Sequence, residues 1–194
     1  MKKIGLTGGI GSGKSIICDV LKTIGYPVFN SDDEAKLLMV NNQEVIQRIK
    51  KIFGNEAYIG TKLNRPYLAS KIFNDEHLKS ELNNIVHPAV RKAFDNWSKN
   101  QKSSLVFNEA AILYETGAYK TFDHTVLVTA PEKLRIERVV ARDNTTIKEI
   151  KQRINNQWKD EVKKTMASYV ILNDDINLVI PQVLKMLDTL EKTT

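Results

Sequence analysis

The run GGIGSGKS at residues 8–15 constrains this chain more than any other feature, because it follows the pattern G-x-x-x-x-G-K-[ST]. Its glycines allow backbone N–H groups to approach phosphate oxygens without a clash from a Cβ atom. An apolar strand containing Ile4 and Leu6 precedes the run, and an amphipathic helix follows it. This context predicts a phosphate loop in which Lys14 reaches the β- and γ-phosphates of a nucleotide and the Ser15 hydroxyl binds Mg²⁺.

Short apolar segments alternate with helical patterns along the rest of the chain. Four of these segments predict further strands, at residues 26–29, 105–107, 125–129 and 169–172. Such alternation is typical of a parallel sheet covered by helices on both faces. We therefore predict an α/β fold of the P-loop NTPase type with a five-stranded parallel sheet. Ligands of such sheets bind beyond the carboxyl ends of the strands, where Asp32, Glu109 and Asn173 are also expected.

The stretch at residues 31–103 carries helical patterns and no strand pattern. Helix breaks are predicted near residues 41–42, 54, 64 and 87–88. We predict a helical insertion here that binds the acceptor substrate, within a single P-loop kinase domain. The core of that domain is expected at residues 1–30, 104–139 and 165–194, and a helical lid at residues 140–164.

Arg135, Arg138 and Arg142 fall on one side of the helix predicted after the fourth strand. Arginines on a mobile helix can neutralise the charge that spreads over a transferring phosphoryl group. Arginines on helices more often face solvent, but beside a phosphate loop we favour the catalytic interpretation.

Asp32 follows the second predicted strand, where a carboxylate could orient an attacking hydroxyl group or accept its proton. Asp33 and Glu34 share the same first helical turn, in which carboxylates stabilise a helix. Both interpretations of Asp32 stay open from the sequence.

The composition narrows the possible partners. A net charge of +6 fits an anionic partner, either a nucleotide or a nucleic acid. The single cysteine, Cys18, excludes a disulfide framework and a Cys-rich metal site. Neither a signal peptide nor an apolar run of about 20 residues occurs, so a cytoplasmic protein without a membrane partner is expected. A P-loop switch would need an Asn-Lys-x-Asp segment, and a nucleic-acid-dependent ATPase would need a basic or aromatic strand-binding surface; neither is evident.

In these residues and in the segments around them, the chain resembles the dephospho-coenzyme A kinase family from about residue 4 to residue 187. The segments that carry the resemblance occur in the family's order: IGLTGGIGSGKS, Asp32, RPYLASKIF, LKSELNNIVHPAV, AILYETG, the arginines of RVVARD, RINNQ and YVILN. Ala111 stands where the family usually has proline, and Ile16 where it often has threonine.

The resemblance implies transfer of the γ-phosphoryl group of ATP to the ribose 3′-hydroxyl of dephospho-coenzyme A, the last step of coenzyme A synthesis, with Mg²⁺ as cofactor. It implies ATP contacts from Gly8, Gly9, Ile10, Gly11, Ser12, Gly13, Lys14, Ser15, Ile16 and Asn173. It implies catalytic roles for Lys14, Asp32, Arg138 and Arg142. It implies acceptor contacts from Asp32, Arg65, His87, Glu109 and Leu113. For His87 we favour a structural role before Pro88, and direct contact with the substrate stays open.

A nucleoside monophosphate kinase is the nearest alternative function. It shares the phosphate loop and the lid arginines, but it gives no reason for the His-Pro helix or the AILYETG segment. The sequence leaves the oligomeric state open.

Overall fold

The computed structural model describes residues 1–73, 75–143 and 145–192, and the chain forms two compact units. The first unit comprises Met1–Asn30 and Gln101–Thr194, and the second comprises Ser31–Asn100. No helix among the described residues is long and apolar enough to cross a membrane.

The strands and helices alternate along most of the chain. The described strands are β1 (Lys2–Gly8), β2 (Val28–Asn30), β3 (Tyr58–Ile59), β4 (Lys62–Leu63), β5 (Leu105–Glu109), β6 (His124–Thr129) and β7 (Tyr169–Leu172). The described α-helices are α1 (Lys14–Thr23), α2 (Ser31–Asn41), α3 (Gln43–Phe53), α4 (Arg65–Ile72), α5 (Glu76–Lys99), α6 (Glu132–Asp143), α7 (Ile147–Asn155), α8 (Asp160–Met166) and α9 (Val179–Lys192). Two short 3₁₀ turns lie at Asn55–Ala57 and Ala118–Thr121.

The first unit is built on a parallel sheet with the strand order β2-β5-β1-β6-β7. This arrangement confirms the predicted five-stranded parallel sheet. The second strand begins two residues later than the sequence indicates. Tyr26 donates its backbone N–H to Leu21 and so closes the end of α1, and Pro27 has no N–H to contribute to a ladder.

One face of the sheet carries the apolar core of the first unit. Alternate residues of β1 and β6 pack there against α1 and α9. The central members of this cluster are Ile4, Leu6, Ile17, Leu21, Val126, Val128, Ile171, Val183 and Met186. Cys18 is buried in the same cluster.

The opposite face of the sheet is more polar. The Thr125 hydroxyl bonds to the Tyr114 hydroxyl at 2.9 Å, and the Thr129 hydroxyl donates to Asp160 at 3.0 Å. Lys163 is fully buried, and its ammonium lies 2.8 Å from Glu115 Oε1. Paired side chains of this kind allow polar groups to be buried at a low cost.

The second unit consists of α2 to α5 and a small hairpin of β3 and β4. Its apolar core includes Val45, Ile49, Phe53, Leu68 and Ile85. The helix breaks expected near residues 41–42, 54 and 64 are confirmed. Asn42 and Asn64 cap α3 and α4 with their side chains, and Gly54 has a φ of 84° after α3.

Two expectations for the second unit are wrong. The stretch contains the antiparallel pair β3–β4, which the sequence analysis missed because two-residue strands carry no alternation pattern. The helix break predicted at residues 87–88 does not exist, since α5 continues through Pro88. A proline inside a helix loses one hydrogen bond, but burial of Ile85, Val86 and Val90 on either side keeps the helix continuous.

Candidate active site

The phosphate loop, residues 8–15, joins the end of β1 to the start of α1. Gly11 and Gly13 have φ angles of 77° and 88°, in the left-handed region that glycine tolerates. A Cβ atom at Gly13 would lie 2.0 Å from the side-chain amide nitrogen of Asn173. Glycine is therefore required at this position both by the backbone and by its neighbour.

Lys14 is the first residue of α1, and its side chain is mostly buried. Its ammonium donates to the carbonyl of Gly8 at 3.0 Å and lies 3.9 Å from Glu109 Oε1. Register places Glu109 there, because it lies opposite Leu6 at the carboxyl end of β5. The side-chain amide of Asn30, at the end of β2, donates to Glu109 Oε2 at 2.8 Å. A cation and a carboxylate thus lie together at the carboxyl ends of three strands.

Ser15 and Ile16 lie in the first turn of α1, and both are exposed. The N-terminal end of a helix carries a partial positive charge that favours anions. The Ser15 hydroxyl is therefore accessible at the end of the helix where phosphates are favoured.

Asn173 follows β7 and is buried against the phosphate loop. Its side-chain nitrogen donates to the carbonyl of Ser12 at 3.0 Å. The sequence analysis assigned Asn173 to the nucleotide site, and the structure brings it to the loop.

The three arginines of α6 lie in three different environments. Arg135 is buried, and it donates to the Ile10 carbonyl at 2.9 Å and to Asp160 at 3.0 Å. Arg138 donates to the Asn173 carbonyl at 3.0 Å and to Asp175. The three arginines therefore have different partners, although their spacing places them on one side of α6.

Arg142 lies at the exposed end of α6 and pairs with its neighbour Asp143. The distance from Arg142 Nε to Asp143 Oδ1 is 2.6 Å. This hydrogen bond raises the pKa of the Arg142 guanidinium and lowers the pKa of the Asp143 carboxyl. Arg142 is charged and accessible, with a carboxylate as its present partner.

Leu113 belongs to the AILYETG segment and is 1% exposed. Its Cδ2 atom would lie 2.7 Å from a Cβ atom placed on Gly5, so the side chain packs against β1. The carbonyl of the same residue accepts the N–H of Tyr119.

The second unit holds the remaining candidates. Asp32 is exposed in the first turn of α2, and Arg65 is exposed as the first residue of α4. His87 is half-buried inside α5, where burial and the nearby charge of Arg91 lower its pKa. The imidazole is therefore uncharged at neutral pH.

Comparison with known proteins identifies the family. The family model for dephospho-CoA kinase matches residues 2–177. A dephospho-CoA kinase from Bacteroides fragilis is 40% identical over 186 residues, which cover 95% of this chain and 91% of that protein. A dephospho-CoA kinase from Porphyromonas gingivalis is 38% identical over 190 residues, which cover 97% of this chain and 94% of that protein. This chain belongs to the dephospho-CoA kinase family.

Solved structures of other proteins share the fold of this chain. The crystal structure of TT1252 from Thermus thermophilus has a TM-score of 0.89 and 33% identity, covering 100% of this chain and 98% of that one. Dephospho-CoA kinase from Campylobacter jejuni has a TM-score of 0.70 at 23% identity, with 98% and 97% covered. Shikimate kinase from Acinetobacter baumannii has a TM-score of 0.53 at 16% identity, covering 100% of this chain and 96% of that one. This likeness concerns the fold alone.

The sequence analysis gave Gln157 no functional role, and it interpreted Arg135 as a catalytic arginine and not as a residue that binds the loop backbone. Gln157 Oε1 accepts the backbone N–H of Ile10 at 3.0 Å, and Arg135 binds the carbonyl of the same residue. Gln157 ends the quoted RINNQ segment, and Arg135 begins the arginine series, so both were visible in the sequence. Their contacts join residues 147 and 125 positions apart, and no local pattern encodes such distances.

Proposed function

We propose that this chain transfers the γ-phosphoryl group of ATP to the ribose 3′-hydroxyl of dephospho-coenzyme A. The observation that carries the proposal is the Lys14 ammonium, held at the phosphate loop between the Gly8 carbonyl and Glu109. A lysine in this position stabilises the charge of the β- and γ-phosphates during transfer. Membership of the dephospho-CoA kinase family supports the choice of acceptor.

The nucleotide contacts are proposed to come from the phosphate loop and the start of α1. Residues 8–16 would surround the phosphates, with the N–H groups of Gly11 and Gly13 turned towards them, and the positive end of α1 would favour their charge. Ile16 would contribute through its backbone only, because its side chain cannot form a hydrogen bond. Asn173 would hold the loop from behind through Ser12.

Magnesium is the proposed cofactor, and the available donors fit it. Mg²⁺ prefers oxygen ligands and is usually held by one or two protein groups together with substrate phosphates. The exposed hydroxyl of Ser15 suits such a site. The described residues contain no group of three or more His, Cys, Asp or Glu that could hold a metal ion by themselves. Bound there, Mg²⁺ would neutralise charge on the phosphates.

Contacts with the acceptor are proposed for five residues. Asp32 would orient the 3′-hydroxyl group, and a loose transition state would require little early proton abstraction from it. The other proposed acceptor contacts are Glu109, Leu113, Arg65 and His87. We propose the second unit, which contains Arg65 and His87, as the acceptor-binding insertion. An uncharged His87 could accept or donate one hydrogen bond.

Arg138 and Arg142 are proposed to close over the phosphates. Both guanidinium groups have carboxylate partners now, Asp175 and Asp143. A phosphoryl group offers the same planar fork a stronger partner, since it carries more negative charge. We also propose that residues 140–164 form the lid that carries Arg142. Because Gln157 and Lys163 hold the last part of this range to the first unit, the movement is proposed for the part before Gln157. A cytoplasmic location stays a prediction.

The test determines whether the 3′-hydroxyl group of dephospho-coenzyme A is phosphorylated. Purified protein is incubated with ATP, Mg²⁺ and dephospho-coenzyme A, and the products are separated by mass. We expect ADP and coenzyme A, and we expect no phosphorylated product from a dephospho-coenzyme A analogue that lacks the 3′-hydroxyl. Equal phosphorylation of that analogue would contradict the proposed acceptor atom.

A further inference from the structure

Side chains from several elements hold the outward carbonyl groups of the phosphate loop. Arg135 donates to the carbonyl of Ile10 at 2.9 Å, and Asn173 donates to the carbonyl of Ser12 at 3.0 Å. Arg138 lies 3.5 Å from the carbonyl of Gly11. Three consecutive carbonyl groups of the loop therefore accept hydrogen bonds from side chains.

These contacts determine where the loop's amide groups point. In a planar trans peptide, the C=O and N–H groups of one unit point in opposite directions. Binding the Ile10 and Ser12 carbonyls from outside therefore turns the N–H groups of Gly11 and Gly13 towards the inside of the loop. Inward N–H groups are the feature that binds phosphate in such loops.

Gln157 acts on the same part of the loop in a different way. Its Oε1 atom accepts the N–H of Ile10 at 3.0 Å, and its Nε2 atom donates to the carbonyl of Ala111 at 3.1 Å. One side-chain amide thus bridges the phosphate loop and the AILYETG segment. With Arg135 on the Ile10 carbonyl, both backbone groups of Ile10 are held by side chains.

The residues around Gln157 are themselves anchored. The N–H of Trp158 donates to Glu115 at 2.9 Å, and Glu115 lies 2.8 Å from the buried ammonium of Lys163. Asp160 binds both Arg135 and Thr129. Buried pairs of this kind fix a segment in one arrangement, so Gln157 is presented to the loop from a rigid base.

We propose that Gln157 is a positioning residue that sets the orientation of the Ile10 peptide and so maintains the phosphate-binding geometry of the loop. It does not touch the reacting atoms. Its loss allows the Gly9–Ile10 peptide to rotate, and the affinity for phosphate groups falls as a result. This role of Gln157 rests on the proposed function only where turnover of the acceptor is measured.

The test compares Gln157→Met with Gln152→Met by calorimetry. Met is close to glutamine in size but cannot make either hydrogen bond, and Gln152 is an exposed residue of α7. We expect Gln157→Met to weaken binding of ATP and of inorganic tripolyphosphate by the same factor, roughly tenfold, as loss of two neutral hydrogen bonds does. Gln152→Met should bind both ligands as the unaltered protein does.

Two further measurements distinguish positioning from general destabilisation. The melting temperature of nucleotide-free Gln157→Met should fall by about 4 °C or less, and the KM for dephospho-coenzyme A should stay within about twofold of the unaltered value. If Gln157→Met does not fold, Gln157→Asn, which is one methylene shorter, breaks the same two contacts and takes its place. Unchanged affinity for ATP and tripolyphosphate would overturn the proposal. Calorimetry needs no acceptor, so this result stands even if dephospho-coenzyme A proves not to be the substrate.

Discussion

The ammonium group of Lys14 lies 3.9 Å from carboxylate oxygen Oε1 of Glu109, and the two side chains are only 14% and 11% exposed. Each therefore holds a charge that the other compensates in a poorly solvated place. The pair unites the start of α1 with the end of β5, and it lies where the phosphates of a bound nucleotide are expected. Substitution of Lys14 or Glu109 should therefore change the free energy of unfolding and the turnover by different amounts.

Lys14→Ala should lower turnover by a factor of at least about 100, because it removes a charge that stabilises the transferring phosphoryl group. It also leaves the Glu109 carboxylate without its cation, and we expect the free energy of unfolding to fall by about 1–2 kcal/mol. The double variant Lys14→Ala/Glu109→Gln should recover most of that stability and none of the turnover. Steady-state rates and urea unfolding measure the two effects. Wild-type turnover in Lys14→Ala would contradict the assignment of the phosphate loop.

Gly13→Ala and Gly25→Ala form a matched pair, since both glycines have positive φ angles, 88° and 95°. Each substitution should destabilise the fold by about 1 kcal/mol through backbone strain. Only at Gly13 does the new Cβ meet a neighbour, Asn173 Nδ2, and displace it from the Ser12 carbonyl. We expect ATP affinity to fall at least about tenfold in Gly13→Ala and to be unchanged in Gly25→Ala. Equal affinities in the two variants would show that the Asn173 contact does not support the loop.

Asp32→Asn distinguishes a catalytic carboxylate from one that only begins a helix. Asparagine keeps the size and one acceptor atom but loses the charge, so we expect turnover to fall by at least about tenfold while ATP affinity stays nearly unchanged. Asp33→Asn is the control, because Asp33 shares the same helical turn and pairs with Lys36. Calorimetry with ATP and steady-state rates are compared for both. If Asp33→Asn loses as much turnover as Asp32→Asn, the catalytic role of Asp32 is withdrawn.

Glu149 makes the start of α7 sensitive to acid. Hydrogen bonds from Thr145 and from the hydroxyl and N–H of Thr146 lower the pKa of its carboxyl from 4.5 to about 2. A lowered pKa means that the carboxylate stabilises the folded state above pH 4.5 and that this contribution is lost as the pH falls towards 2. Glu149→Gln should therefore be less stable than the unaltered protein at pH 7, with a difference that shrinks between pH 4.5 and 2. Urea unfolding across this range measures it, with the exposed Glu137→Gln as a control for charge loss. A difference that does not change with pH would contradict the pKa assignment.

The sequence predicts the main elements of this fold because their patterns are local. The phosphate loop is defined by residue types at fixed spacing, and the strands around it are continuous apolar runs. The cap of α7 is an example: Thr146 and Glu149, three residues apart, have the residue types of a capping box, and both reciprocal hydrogen bonds are present.

Other features depend on packing, which a local pattern does not contain. Pro88 predicts a helix end by its own chemistry, but the buried residues on both sides of it keep α5 intact. Arg135 resembles Arg138 and Arg142 in the sequence, yet it is buried against Asp160 and serves the loop backbone. All ligand contacts assigned from the sequence, including those of Asp32, Arg65 and His87, stay predictions.

The most direct test of the account compares two acceptors in one assay. ADP formation is followed with ATP, Mg²⁺ and either dephospho-coenzyme A or AMP, and kcat/KM is determined for each acceptor. We predict a kcat/KM for dephospho-coenzyme A that exceeds the value for AMP by at least about 100-fold, since a site that binds the larger acceptor gains contacts that AMP cannot make. An equal or higher kcat/KM for AMP would contradict the account and assign this chain to the nucleoside monophosphate kinases.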